Sequence, residues 1–144
     1  MTAKRLTKRQ RRALRDYIAE LQANLRLQGW VIDVERDPSP APHDKARACT
    51  WITSEAHEAT IYVNPVVFPA LTRVEQRQVV VHELCHLILE QMDQAVRTGF
   101  RPRGRGDGAA AVKELARLAM EKANDDFAWI IAEHQPLPAR GWLS

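Results

Sequence analysis

Apolar residues recur at helical spacing in three long segments of this chain. The first segment predicts a helix over residues 8–28, because Leu and Ile recur every three or four positions until Gly29. The second and third segments predict helices over 73–97 and 109–134. Two of these helices begin with the spacing of a capping box, in Thr7–Gln10 and Thr72–Glu75. Helices at both ends of the chain therefore enclose a region of different pattern.

Alternating or β-prone positions predict short strands between the first two helices. Trp30, Ile32 and Val34 alternate with Val31, Asp33 and Glu35, which is the period of a half-buried strand. The runs 46–53 and 59–64 are separated by a polar stretch of hairpin length. We therefore predict an α+β fold with an N-terminal helix and a small, mainly antiparallel sheet of three or four strands. The helix over 73–97 should pack against the C-terminal helix. Glycine and arginine in 98–108 predict a mobile loop between these two helices.

Length and composition favour one globular domain over residues 1–144, with 45% hydrophobic residues. The chain has no apolar run of membrane length and no signal-peptide pattern, so we expect a cytoplasmic protein without a membrane partner. The net charge is +3, yet eight of the 21 cationic residues fall between Lys4 and Arg26. We favour a solvated helix face there, and a surface for nucleic acid or an acidic partner is the alternative.

The second helix carries His82-Glu83-Leu84-Cys85-His86, an H-E-x-x-H motif between two apolar runs. Helical spacing puts His82 and His86 on one face about 6 Å apart along the axis, so both imidazoles can bind one ion. Zinc favours two His and one carboxylate with an open position for water, and Glu83 lies where it can act as general base on that water. An uncompensated charge in such an apolar helix costs several kcal/mol, which favours a metal over a buried histidine pair.

A third ligand has to come from another element, because Glu90 and Asp93 lie too far along the same helix. The last helix offers five acidic residues, which are Glu114, Glu121, Asp125, Asp126 and Glu133. Glu121 and Asp125 share one helical stripe, so Glu121 could bind zinc while Asp125 accepts a hydrogen bond from a ligand histidine. An ordinary exposed acidic stripe is the alternative.

Three stretches resemble a family of small gluzincin-type zinc metallopeptidases, the ImmA/IrrE-type and phage-associated enzymes. They are Ile61-Tyr62-Val63-Asn64-Pro65, the apolar H-E-x-x-H run from Val79 to Leu87, and Glu121 followed by Phe127-Ala128. The resemblance implies a strand ahead of the motif helix and a Glu ligand ahead of a Phe-Ala pair, which supports Glu121 over Glu114. It also implies cleavage of a specific protein partner, often a repressor.

We therefore expect a zinc-dependent metallopeptidase that hydrolyses peptide bonds in a specific protein substrate, with Glu83 as general base. The alternative is a DNA-associated or regulatory phage protein whose zinc site is structural or vestigial. An edge strand would hold the substrate, and 59–64 is the candidate. The residue that stabilises the oxyanion is left open among Tyr62, His57, His134 and the arginines of 98–108.

Overall fold

The fold consists of three α-helices and one small sheet. In the computed structural model, residues 5–34, 46–99 and 107–144 are described. The elements are α1 (Lys8–Asn24), β1 (Val31–Val34), β2 (Ala48–Thr53), β3 (Glu58–Val63), α2 (Arg73–Gly99) and α3 (Asp107–Glu133). The predicted α+β class, with a helix at each end of the chain, is confirmed. None of the described helices is long and apolar enough to cross a membrane.

The three strands form a mixed sheet in the order β1-β3-β2. β2 and β3 are the predicted antiparallel hairpin, with Ala48 opposite Val63 and Thr53 opposite Glu58. β1 runs parallel to β3, with Val34 opposite Ile61. The candidate edge strand over 59–64 was therefore wrong, because β3 is the central strand and β2 lies at an edge.

The first helix ends four residues earlier than predicted, at Asn24 rather than 28. Arg26 takes the left-handed conformation, with φ 56°. Its N–H and that of Leu27 donate to the carbonyls of Ala23 and Gln22 at 3.3 and 2.9 Å. This is a Schellman motif, in which a left-handed residue usually provided by Gly closes the helix. The turn also buries Leu27, which is 6% exposed, and this burial stabilises it. The prediction that Gly29 ends the helix was therefore wrong.

The core lies between the sheet, α1 and α2. Its least exposed aliphatic side chains, each 0% exposed, are Leu14, Leu21, Ile61, Val80, Val81 and Leu84. Each fully buried Val, Leu or Ile contributes about 1.5–3 kcal/mol relative to exposure. The apolar residues just before the motif, Val80 and Val81, thus belong to the core. Their packing positions the next turn of α2, which carries the motif, relative to the sheet.

α2 and α3 pack against each other as a pair of long helices. They include four residues of the loop predicted over 98–108, since α2 extends to Gly99 and α3 begins at Asp107. The remainder of that prediction, residues 100–106, lies outside the described residues, as does most of the connector between β1 and β2.

Both capping boxes are present, and the Thr7 and Gln10 side chains accept from each other's backbone N–H.

The chain after α3 returns onto α1 and α2. The Tyr17 hydroxyl donates to the carbonyl of Pro136 at 2.8 Å. The Trp142 indole N–H donates to Oε1 of Gln76 at 2.8 Å, and the Arg73 guanidinium donates to the carbonyl of Pro138 at 2.7 Å. These bonds hold the C-terminal end of α3 and so help to set how α3 lies along α2.

Candidate metal centre

The packing of α3 on α2 brings Glu121 to the two motif histidines. One ligand atom from each of His82, His86 and Glu121 lies within 4.8 Å of the other two. The Nε2 atom of His82 is 3.3 Å from Oε1 of Glu121. Two ligands of a tetrahedral zinc with bonds of 2.0–2.1 Å are also about 3.3 Å apart. The donor set and this spacing fit zinc, with a fourth position open for a water or substrate.

The other candidate acids of α3 are not in this group. The Glu114 carboxylate accepts two hydrogen bonds from the Arg117 guanidinium, at 2.9 and 2.8 Å. The Asp126 carboxylate accepts from Lys122 at 2.8 Å. Both are exposed pairs within one helix, so their carboxylates have partners one turn away rather than the histidines.

Asp125 lies against the second nitrogen of His82. Its Oδ1 is 2.8 Å from Nδ1, while Nε2 of the same ring faces Glu121. A carboxylate at this distance accepts the Nδ1–H hydrogen bond, which puts the ring's lone pair on Nε2, the nitrogen that a metal would bind in place of the nearby Asn124 amide. Such a partner would fix the tautomer and orientation of a ring that binds a metal, and the predicted contact of Asp125 with a motif histidine is present.

Replacing Asp125 with Ala should weaken zinc binding about 10 to 100-fold, as expected when the outer partner of a ligand histidine is lost. Asp126→Ala is the matched control, because its carboxylate bonds Lys122 instead of a histidine. A competition titration against a chromophoric chelator measures both affinities. Equal losses in the two variants would show that general negative charge on α3, rather than the His82 contact, supports the ion.

The environment of His86 keeps it in the form that binds metals. Burial lowers the pKa of His86, and the neighbouring His82 lowers it further, while the Glu121 carboxylate opposes this. Only the neutral imidazole has a lone pair to donate, so a lowered pKa reduces competition from protons. The two rings lie edge to face with centroids 4.9 Å apart, which is compatible with both meeting one ion.

Glu83 is a buried carboxyl beside this group, only 5% exposed. The Thr50 hydroxyl of β2 donates to its Oε2 at 2.5 Å. Burial raises the pKa of Glu83 to about 7, against the opposing effects of the Thr50 hydrogen bond and of His82. A base whose pKa lies near the working pH transfers protons most efficiently in both directions. A pKa in this range suits a group that both accepts and donates a proton.

Two residues of the site were not predicted from the sequence, Thr50 and Asn124. Asn124 is 2% exposed, and its Nδ2 lies 3.3 Å from the carbonyl of His82 and 3.2 Å from the ring Nε2. Its Oδ1 has no hydrogen-bond partner among the described residues. The amide ties α3 to α2 at the turn between Glu121 and Asp125. The signal that could have identified Asn124 is its position as a polar residue on the side of α3 that faces α2.

Two clefts flank the candidate metal centre, one on each side of the motif. A cleft of about 360 Å³ has His86 and Glu121 in its wall, together with Thr50, Trp51 and Ile52 of β2. A cleft of about 390 Å³ has His82 and Glu83 in its wall, together with the chain at the start of β2, residues 46–48. β2 thus contributes residues to both clefts. Neither cleft is lined by Tyr62, His57 or His134, the residues considered for the oxyanion.

The raised pKa of Glu83 predicts how the metal-free protein responds to pH. In the folded state the Glu83 carboxyl stays protonated up to about pH 7, whereas in the unfolded chain it ionises near its ordinary pKa of 4.5. The contribution of this group to the free energy of unfolding is therefore fully present below pH 4.5 and is lost as pH rises through about 7. Glu83→Gln removes this loss, and its stability relative to wild type should grow by up to about 3 kcal/mol between about pH 5 and pH 8.5. Urea unfolding of both chains in chelator measures the difference. A constant difference across this range would contradict the buried carboxyl.

The chain was compared with known proteins in three ways. No family model, no curated protein and no solved structure matches it.

Proposed function

We propose that this chain is a zinc metallopeptidase similar to the ImmA/IrrE-type and phage-associated enzymes, which hydrolyses peptide bonds in a specific protein substrate. The observation that carries the proposal is a single cluster of side chains that could both bind a metal and accept a proton from water. One ligand atom from each of three side chains that could hold a metal lies within 4.8 Å of the other two. The buried carboxyl of Glu83, whose pKa is raised to about 7, lies next to His82 in sequence and in the same cleft wall.

Zinc, when bound by His82, His86 and Glu121, would lower the pKa of a coordinated water and polarise the scissile carbonyl. Glu83 takes the proton from the attacking water and passes it to the leaving amine. The Thr50 hydroxyl holds one carboxylate oxygen of Glu83, which leaves the other oxygen for proton transfer. Asp125 holds the His82 ring in the tautomer that binds the metal.

The substrate in this proposal is an extended peptide that pairs with β2. β2 bonds β3 on one side, and no described strand pairs with its other side. Residues of β2 line both clefts, so a peptide that pairs with its free edge would lie near the metal ligands and Glu83. Trp51 is 56% exposed on this strand and offers an aromatic contact to a substrate side chain.

The test begins with metal content. Protein purified without chelator should contain about one zinc per chain, because the described residues provide one group of ligands with three protein donors. Elemental analysis measures this, and a chelator should abolish cleavage of a protein substrate while added zinc restores it. Metal-free protein from such a preparation, or another metal at full occupancy, would overturn the zinc assignment.

The alternative of a purely structural zinc site predicts a different ligand set. Structural zinc sites are closed by four protein ligands, usually with Cys among them. In the described ranges, Cys85 is buried and has a pKa raised by burial to about 11, and neither Cys85 nor Cys49 belongs to the ligand group. An open three-donor site next to a buried base supports catalysis over a structural role.

A further inference from the structure

The net positive charge of this chain is concentrated at the start of α1. Residues 5–15 contain six Lys or Arg and no Asp or Glu, whereas the rest of the chain has 15 cationic against 18 acidic residues. The chain thus has a net charge of +6 over eleven residues and −3 over all the others. We call the side chains Lys8, Arg9, Arg11, Arg12 and Arg15, together with Arg5 just before the helix, the basic face of α1. A solvated surface without a partner would not need so uneven a distribution.

The position of these charges opposes the stability of the helix itself. The N-terminus of a helix carries a partial positive charge, so acidic residues are favoured in its first turn and cations are disfavoured. The first turn of α1 contains no acidic residue, and it contains Lys8, Arg9 and Arg11 instead. Arg15 pairs with Asp33 at 2.6 Å, but no described carboxylate lies within ion-pair distance of Lys8 or Arg12. Charges that oppose the local fold are commonly retained for binding.

The chemistry of the basic face selects among possible partners. No large apolar side chain of α1 is strongly exposed, because its apolar stripe of Leu14, Ile18 and Leu21 is buried in the core. A protein interface needs an apolar centre, and an amphipathic helix that inserts into a membrane needs a free apolar stripe. Tyr17, the one aromatic residue of α1, is only 5% exposed, so the face has no platform for stacking the bases of a single strand.

We propose that the basic face of α1 binds the phosphate backbone of duplex nucleic acid without sequence preference. Arginine provides five of its six cations, and the planar guanidinium matches phosphate oxygens in a bidentate manner. From Lys8 to Arg15 the face spans about 10 Å of helix, so it reaches more than one phosphate. α1 packs on β1 and α2, and β1 is the edge of the sheet opposite β2. The basic face is therefore separate from the candidate metal centre and does not depend on the proposed peptidase activity.

The test compares two double variants of the full chain that remove the same charge. Lys8→Gln/Arg12→Gln acts on the basic face, and Lys113→Gln/Arg140→Gln removes one exposed Lys and one exposed Arg elsewhere. Fluorescence anisotropy with a 20-base-pair DNA duplex, and with an RNA duplex of the same length, is measured in about 50 to 200 mM salt. Wild type should bind both duplexes with steep salt dependence.

The basic-face variant should weaken binding at least about tenfold at 50 mM salt and reduce the slope of log K against log salt by about 2. The control variant should bind like wild type. The melting temperature of Lys8→Gln/Arg12→Gln should hold or rise, since a cation at the start of α1 is removed. A binding loss caused by unfolding would lower it instead.

Several outcomes would overturn the proposal. One is absence of salt-dependent duplex binding by wild type, and another is an equal loss in the two variants. Tighter binding of a single strand than of the duplex would also contradict it. If polyglutamate, or vesicles containing anionic lipid, competed as well as the duplex at equal charge concentration, the partner would be an acidic protein or a membrane surface rather than nucleic acid.

Discussion

Glu83→Gln should abolish most peptide hydrolysis while leaving the metal in place. The substitution keeps the size and shape of the side chain and removes only its ability to accept a proton. Loss of a general base costs about 10² to 10⁴ in rate, because a bound zinc still polarises the carbonyl but no other group takes the proton. Zinc content should stay at the wild-type level, since Glu83 is not among the three clustered ligand side chains. Candidate partner proteins, with a single cut sought by mass spectrometry, provide the assay.

Thr50→Val is a companion variant that tests whether the hydrogen bond to Glu83 supports proton transfer, as distinct from the shape of the cleft. It removes the hydroxyl that donates to Glu83 Oε2 at 2.5 Å and keeps the β-branched shape of a strand residue. Its rate should fall less than that of Glu83→Gln, and Thr50→Ser should restore most of the loss. If Glu83→Gln cut the partner at the wild-type rate, Glu83 would not be the base and the proposed mechanism would be wrong.

The helices, the strands and the hairpin of β2 and β3 follow from local sequence pattern and could be predicted, whereas the parallel pairing of β1 with β3 could not. Alternation identified the strands, but a period of two is the same for parallel and antiparallel neighbours. The sequence does contain a signal for the central strand. Ile61, Tyr62 and Val63 are consecutive and all buried, as in a strand covered on both faces, whereas β2 exposes Trp51. The end of α1 depends on the burial of Leu27, and this burial comes from tertiary packing that the local sequence does not show.

The candidate site divides in the same way. The spacing of His82 and His86 is a property of one helix, so the sequence alone places both rings on one face. Glu121 reaches them only because α3 packs along α2 in one register, and the acidic residues of α3 could not be ranked by spacing alone. Thr50 and Asn124 were missed because neither residue type is a usual ligand or base. Their roles depend on contacts between elements.

Glu121→Ala should produce the largest loss of zinc binding among the acidic residues of α3. It removes one of three donors, so affinity should fall by more than the factor of about 100 that marks the upper end for an outer partner such as Asp125. Glu114→Ala is the control from the same helix, because Glu114 pairs with Arg117 at 2.8 Å and should change affinity by less than about threefold.

The same pair of variants gives a second readout that does not depend on an assay for hydrolysis. A ligand that binds only the folded state stabilises it by RT ln(1 + [L]/Kd), so zinc at 100 times its Kd adds about 2.7 kcal/mol. Wild type and Glu114→Ala should both melt at a higher temperature when zinc replaces chelator, and Glu121→Ala should lose most of this increase. If both variants lost it equally, or only Glu114→Ala did, α3 would lie on α2 in a different register. The ligand set would then have to be drawn from the next turn of the helix.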